Sequence, residues 1–310
     1  MPELPLRRSR SFGFAVSPRE MTRVMKNIAV GLASLPFFAT GAFAAQPEPW
    51  QMRFQPAVTS IMHEITWFEH YTLWFIIPIT ILVMLLLAWC ILRFRKSTNP
   101  TPSRTSHNTL IEVVWTVGPV IVLLFLAVPS FQLLTAQYTP TDEPELTIKA
   151  TGVQWYWDYE YQLEEPLSFT SLMLKEDERS GAGKEDKARY PRLLAVDNEI
   201  VVPVDTTVRV LVTASDVIHA FAMPAFGVKV DAVPGRINET WFKAEKEGLY
   251  YGQCSELCGK DHAFMPIAIR VVAKGQYDTW VAAARDDLTG ANKALMAAVE
   301  ANTKVASAGQ

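Results

Sequence analysis

Two stretches without a single charge, residues 71–92 and 113–134, decide most of what this chain can fold into. An α-helix needs about 20 apolar residues to cross a hydrocarbon core of roughly 30 Å, and both stretches are long enough. Buried helices of a soluble protein rarely run so far without charge, so both are assigned as membrane spans. Pro78, Pro119 and Pro129 lie within them, which membranes tolerate where neighbouring groups re-satisfy the backbone. The link over residues 93–107 carries Arg93, Arg95, Lys96 and Arg104 and no acid. The positive-inside rule puts that link in the cytoplasm and both flanks outside. The start of the chain agrees. Arg7, Arg8, Arg10, Arg19, Arg23 and Lys26 precede an apolar run over 28–43 that ends in Gly41-Ala42-Phe43-Ala44-Ala45. That is the pattern of an N-terminal extension and secretory signal peptide over residues 1–45, cleaved near Ala44 or Ala45. Met21 or Met25 is a more natural start than Met1. Residues 46–70 read as an irregular lead-in, and 71–137 as a transmembrane hairpin.

Beyond Pro140 the pattern changes to short β-rich runs separated by Pro, Gly and Asn. Strands are expected over 146–161, 193–196, 199–204, 207–214, 240–244, 249–252 and 267–272. The run Thr207-Val208-Arg209-Val210-Leu211-Val212-Thr213 is β-branched and partly alternating, as a sandwich strand is. Several short strands at this spacing predict a β-sandwich or barrel over 138–273. Residues 176–192, rich in Lys, Glu and Gly, read as a mobile surface loop. Residues 274–310 read as a C-terminal helix, Ala-rich from 276 to about 299, and a fraying tail. The fold class is therefore membrane α plus all-β. A net charge of −3 gives no sign of nucleic acid, and three cysteines make no disulfide scaffold. Cys90, alone in an apolar run, reads as packing.

The chemistry concentrates in residues 254–265, with the spacing Cys254-x3-Cys258-x3-His262-x2-Met265. Thiolate, imidazole and a weak thioether are the ligand set of copper electron-transfer sites. Structural zinc more often shows Cys-x2-Cys pairs and no methionine. Two cysteines four apart in an exported domain also make a disulfide in many proteins, but a disulfide has no use for His262 and Met265. His219, in Asp216-Val217-Ile218-His219-Ala220-Phe221, offers a second imidazole. A mononuclear blue-copper site needs one cysteine; two on one loop suit a pair of bridged copper ions.

The hairpin, the aromatic run Trp155-Tyr156-Trp157-Asp158-Tyr159-Glu160-Tyr161, the His219 segment and the 254–265 loop together resemble subunit II of haem-copper cytochrome c oxidases, bacterial or mitochondrial. The likeness covers most of residues 50–285. It implies a cupredoxin-like domain holding a dinuclear copper centre (CuA) on His219, Cys254, Cys258, His262 and Met265, with the backbone carbonyl of Glu256 as a further ligand. It gives the Glu256 side chain a magnesium ion shared with subunit I. It makes Trp155 the point where electrons arrive, although many members carry His where this chain has Val153. It places Glu112, at the start of the second span, at the cytoplasmic mouth of a proton pathway; the plainer reading is an acid favoured by the helix dipole. Implied partners are subunits I and III, cytochrome c and the lipid membrane, in the plasma membrane of a bacterium, with the mature N-terminus and the β-domain periplasmic.

Residues 141–270 hold 22 acids against 14 bases, and an acidic surface would steer a basic cytochrome c. Glu160, Asp197, Asp216 and Asp231 are the candidate docking carboxylates. No Cys-x-x-Cys-His occurs, so no covalently attached haem is expected in this chain, and no oxygen-reducing site either. Rival readings are a membrane-tethered copper carrier, a quinol oxidase subunit (which lacks these cysteines), and the CuA domain of another reductase such as nitrous-oxide reductase, a soluble enzyme without the hairpin.

Overall fold

The computed structural model describes residues 45–308. All but the last residue of the expected 1–45 leader lies outside them. The described chain is a helical hairpin that leads into a two-sheet β-sandwich, closed by two C-terminal helices.

Helix α1 (Ser60–Phe94) begins well before the uncharged stretch, so the irregular lead-in is confined to residues 45–59. The early start has a tertiary cause. Thr59 caps the helix by accepting from the Met62 N–H, and its hydroxyl donates to the Phe226 carbonyl at 2.8 Å. Ile61 and Met62 are thereby buried against the β-domain. Gly227, at φ +71°, leaves room for that turn, since a Cβ there would stand 2.7 Å from Ile65 Cδ1. Helix α2 (Thr109–Tyr138) is capped by Asn108, whose side chain accepts from the Ile111 N–H. The two helices touch through the Tyr71 hydroxyl, which donates to Phe125 O at 3.1 Å. Their most apolar stretches are wholly unburied among the described residues. Such faces need lipid or partner helices, because nothing among the described residues covers them.

The sandwich is built from β1 (Leu146–Val153), β2 (Tyr156–Tyr161), β3 (Leu167–Ser171), β4 (Ile200–Pro203), β5 (Thr207–Ala214), β6 (His219–Met223), β7 (Val228–Ala232), β8 (Asn238–Lys243), β9 (Gly248–Cys254) and β10 (Pro266–Val272). One sheet runs β3-β2-β1-β5-β8 and the other β4-β10-β9-β6-β7. β1 pairs parallel with β5, and β10 parallel with β4; the other pairings are antiparallel. Strands β1 and β2 alternate between buried and half-buried residues, as one-sided strands do. β10 is buried at every position, which requires cover on both faces. The core supplies one. The other comes from residues 172–198, with Met296 of the C-terminal helix α5 (Leu288–Ala308) packed against them, whereas α4 (Lys274–Ala284) joins the main core through Tyr277 and Trp280.

Several elements differ from the sequence reading. The expected strand at 193–196 is a turn, and the long expected strand at 146–161 is a hairpin that turns at Gln154 and Trp155. β3, β6 and β7 were not foreseen, because His219-Ala220-Phe221-Ala222-Met223 carries no β-branched residue and the other two are only five residues long. The expected mobile loop at 176–192 is anchored. It holds a short helix, α3 (Arg179–Ala182), and buries Arg179, Lys184 and Tyr190. Lys184 Nζ reaches Glu199 Oε1 at 2.9 Å, and Arg270 pairs with the other oxygen of the same carboxylate. The C-terminal stretch is two helices, with Trp280 of α4 buried against Tyr161 and donating to Asn292 of α5.

Candidate metal centre

The loop between β9 and β10 carries all the candidate ligands except His219, and its base is closed by hydrogen bonds. Cys254 N donates to Met265 O, and Ser255 N donates to Ala220 O of β6. Closing the base brings His219, at the start of β6, beside Cys254, at the end of β9. The ligand atoms of His219, Cys254 and Cys258 all lie within 4.8 Å of one another and are buried.

The two sulfurs are 3.8 Å apart, with both cysteines free; a disulfide requires about 2.05 Å. On one side Cys254 Sγ faces His219 Nδ1 at 3.8 Å and the Glu256 carbonyl at 3.3 Å. On the other, Cys258 Sγ faces His262 Nδ1 at 3.5 Å and Met265 Sδ at 3.6 Å. Each thiol therefore has one imidazole nitrogen and one weak donor as neighbours. Two thiols, two imidazoles and a thioether make a soft donor set, and it fits copper.

The electrostatics ask for a cation. Burial raises the Cys254 thiol, but hydrogen bonds from His219 and from the backbone outweigh it and lower it below the usual cysteine range. Burial, and then the charge on Cys254, push Cys258 the other way. A thiolate at Cys254 thus disfavours a second at Cys258, and a positive ion between them would relieve that repulsion.

The tautomer of His219 is fixed from outside. Its Nε2 lies 2.9 Å from Asp216 Oδ1. A carboxylate only accepts, so Nε2 carries a proton, and in the neutral ring Nδ1 keeps its lone pair toward the sulfurs. Burial disfavours the charged ring, but Cys254 and Asp216 together raise its pKa in the metal-free chain. Trp157, fully buried, stands edge-on to the ring at 6.1 Å. Gly152 of the opposite sheet makes room for His219, since a Cβ there would meet the ring at 2.9 Å.

The remaining predicted residues fall in distinct places. Trp155 is half-buried beside the loop, with Nε1 donating to Cys258 O at 3.2 Å and Lys260 Nζ 5.6 Å from its ring. The Glu256 side chain is exposed while its carbonyl faces Cys254. Glu160 is part-exposed and paired with Lys149, and Asp231 is exposed on β7. Asp197 is occupied by the N–H groups of Leu172 and Asn198. Asp216 is occupied by His219, Val217 N and Gln154 N. Glu112 sits in the first turn of α2 and accepts from Asn108 N. At 1.5 Å per residue that is about 40 Å of helix from the β-domain. Gln154 was missed by the sequence reading, and Asp216 was read as a docking acid. Its position three residues before a candidate ligand histidine was the available sign of a partner for the imidazole.

A hairpin of apolar helices tethering a cupredoxin-like domain with a soft-metal loop defines a membrane-anchored electron-transfer module. The family model "Cytochrome C oxidase subunit II, periplasmic domain" matches residues 146–272, and "Cytochrome C oxidase subunit II, transmembrane domain" matches 47–133. A "Probable cytochrome c oxidase subunit 2" of Rickettsia bellii is 49% identical over 259 residues, which is 83% of this chain and 93% of the relative. "Cytochrome c oxidase subunit 2" of Zea mays is 45% identical over 249 residues, or 79% and 93%. The crystal structure of the periplasmic domain of subunit II of cytochrome oxidase (CoxB) of Bradyrhizobium japonicum shares 59% identity over 46% of this chain and 95% of that one, with a TM-score of 0.41. The chain belongs to the cytochrome c oxidase subunit II family, and is thus a membrane subunit of an oxidoreductase complex.

Proposed function

We propose that this chain accepts single electrons from a cytochrome c through Trp155 and passes them to haem in subunit I, where oxygen is reduced and protons are pumped. The observation that carries the reading is the paired arrangement of the site, a thiol and an imidazole on each side with the sulfurs 3.8 Å apart. That pairing suits two copper ions held by His219, Cys254, Cys258, His262, Met265 and the Glu256 carbonyl. When bound, the copper supplies a one-electron store whose charge the shared thiolates spread, which keeps the geometric change on reduction small.

The protein's own part is positional. Trp155 offers its partly exposed ring outward and its indole N–H to a ligand's backbone, giving a short bonded route from surface to Cys258. Glu160 and Asp231 present carboxylates to a basic donor, while Asp197 and Asp216 are engaged within the fold. Glu256 has its side chain free to hold magnesium at the contact with subunit I, as a carboxylate suits that cation. The β-domain lies in the periplasm, with residues 93–107 on the cytoplasmic side of a bacterial inner membrane and subunit III alongside.

In the assembled oxidase, Trp155→Phe is expected to slow electron uptake on the order of tenfold or more, with the copper spectrum retained. Loss of the spectrum would make the residue structural. Uptake in the wild type should also weaken as salt rises, because docking is electrostatic. Glu112→Ala should lower oxygen-reduction turnover if this acid feeds a proton path. Unchanged turnover would leave Glu112 as the acid that holds the Asn108 N–H.

A further inference from the structure

We infer that Gln154 is a positioning residue, a clamp that locks the electron-receiving Trp155 to the backbone of the metal-ligand loop. The inference rests on the relay reading above. Three features of the β1–β2 turn carry it. The Gln154 side-chain amide donates to Cys258 O at 2.8 Å, and the Trp155 indole donates to the same oxygen at 3.2 Å. A carbonyl has two lone pairs, so both donors are served at once. The Gln154 backbone N–H is in turn fixed by Asp216 Oδ2 at 2.7 Å, while the other Asp216 oxygen holds His219. The turn also lies directly on Gly259, where a Cβ would stand 2.9 Å from Trp155 Cζ2 and 3.2 Å from Gln154 Nε2. Gly259 has φ +128°, so the loop adopts there a shape that other residues resist.

Gln154 is thus tied through Asp216 to a ligand on one side of the centre and directly to a ligand on the other. An exposed glutamine usually gives its amide to water. This one turns inward, and its removal leaves the indole alone to fix the distance from ring to loop. The competing role for an exposed residue beside the electron-receiving ring is direct contact with the donor, and the two roles predict different measurements.

The test uses the full-length chain and the assembled oxidase, each with Gln154→Leu, which keeps most of the volume and loses both amide functions. Gln154→Met serves if the leucine variant does not fold. A neutral hydrogen bond contributes about 0.5–1.5 kcal/mol, so amide exchange over residues 255–261 in the metal-free chain should quicken roughly threefold to tenfold. In the oxidase, uptake at saturating cytochrome c should fall about tenfold, with the half-saturating concentration and the copper content unchanged. Unchanged exchange would overturn the clamp, and so would a defect confined to the half-saturating concentration, which marks a docking residue. Failure of the wild-type chain to take up copper would sink the relay reading instead, and the exchange comparison would still judge the clamp.

Discussion

Changing Cys258 to serine is expected to empty the metal centre while leaving the fold in place. Cys258 is the hub of the donor set, 3.8 Å from Cys254 Sγ, 3.5 Å from His262 Nδ1 and 3.6 Å from Met265 Sδ. A hydroxyl is harder than a thiolate and stays protonated at neutral pH, so it neither suits copper nor supplies the second negative charge. Outer-shell partners of a metal cost about 10–100-fold in affinity when lost, and a shared ligand should cost at least the upper end of that range. Copper present at about a thousand times its dissociation constant stabilises a folded protein by about 4 kcal/mol. The variant should therefore melt where the metal-free wild type does. Serine nearly matches cysteine in volume, so the two metal-free proteins should agree within about 1 kcal/mol. A structural disulfide would behave differently, because its loss typically costs about 2–5 kcal/mol without any metal. Copper per chain and metal-free melting decide together. Retention of the wild-type copper content and colour by the serine variant would remove Cys258 from the site.

The hairpin was legible because hydropathy over 20-odd residues is a one-dimensional signal that depends on no distant partner. The candidate ligand loop stood out for the same reason, since four candidate ligands fall within twelve residues at fixed offsets. His219 could be recruited only because the loop demanded a second imidazole. What the sequence hid was contact across distance. Gln154 and Asp216 are 62 residues apart, and Trp155 and Cys258 are 103 apart, so no local pattern links them. The early start of α1 was hidden likewise, because the carbonyl that fixes Thr59 belongs to Phe226, 167 residues away. Charge misled most in the 176–192 segment. Lysine and arginine are almost never fully buried unless paired, which made a run of them read as solvated surface. Here the pairing exists: Lys184 meets Glu199, which stands just before β4 and also holds Arg270 of β10.

That pairing carries the largest expected effect on stability. Arg270→Met should destabilise the β-domain by about 3–5 kcal/mol, because Glu199 would remain buried with Lys184 as its only cation. Burial alone would raise the Glu199 carboxyl, but Arg270 and then Lys184 outweigh it and hold it at about 2. The folded pKa is thus below the ordinary glutamate value of about 4.3. The stabilisation is therefore complete above about pH 4.5 and is lost as pH falls toward 2, an effect on the order of 3 kcal/mol. Arg270→Met removes the larger of the two attractions, so its melting temperature should depend less steeply on pH across that window. At neutral pH the loss should lower the melting temperature by roughly 10 °C. The copper spectrum should survive below that temperature. The cluster lies on the face of β10 covered by the 172–198 segment, and no member of it touches a ligand. Arg270 is nevertheless on the strand that follows Met265 directly. A variant that melts like the wild type and keeps its acid profile would show that the ion pair contributes nothing net. A variant that melts normally but loses copper would show instead that the brace acts on the ligand loop rather than on the sandwich.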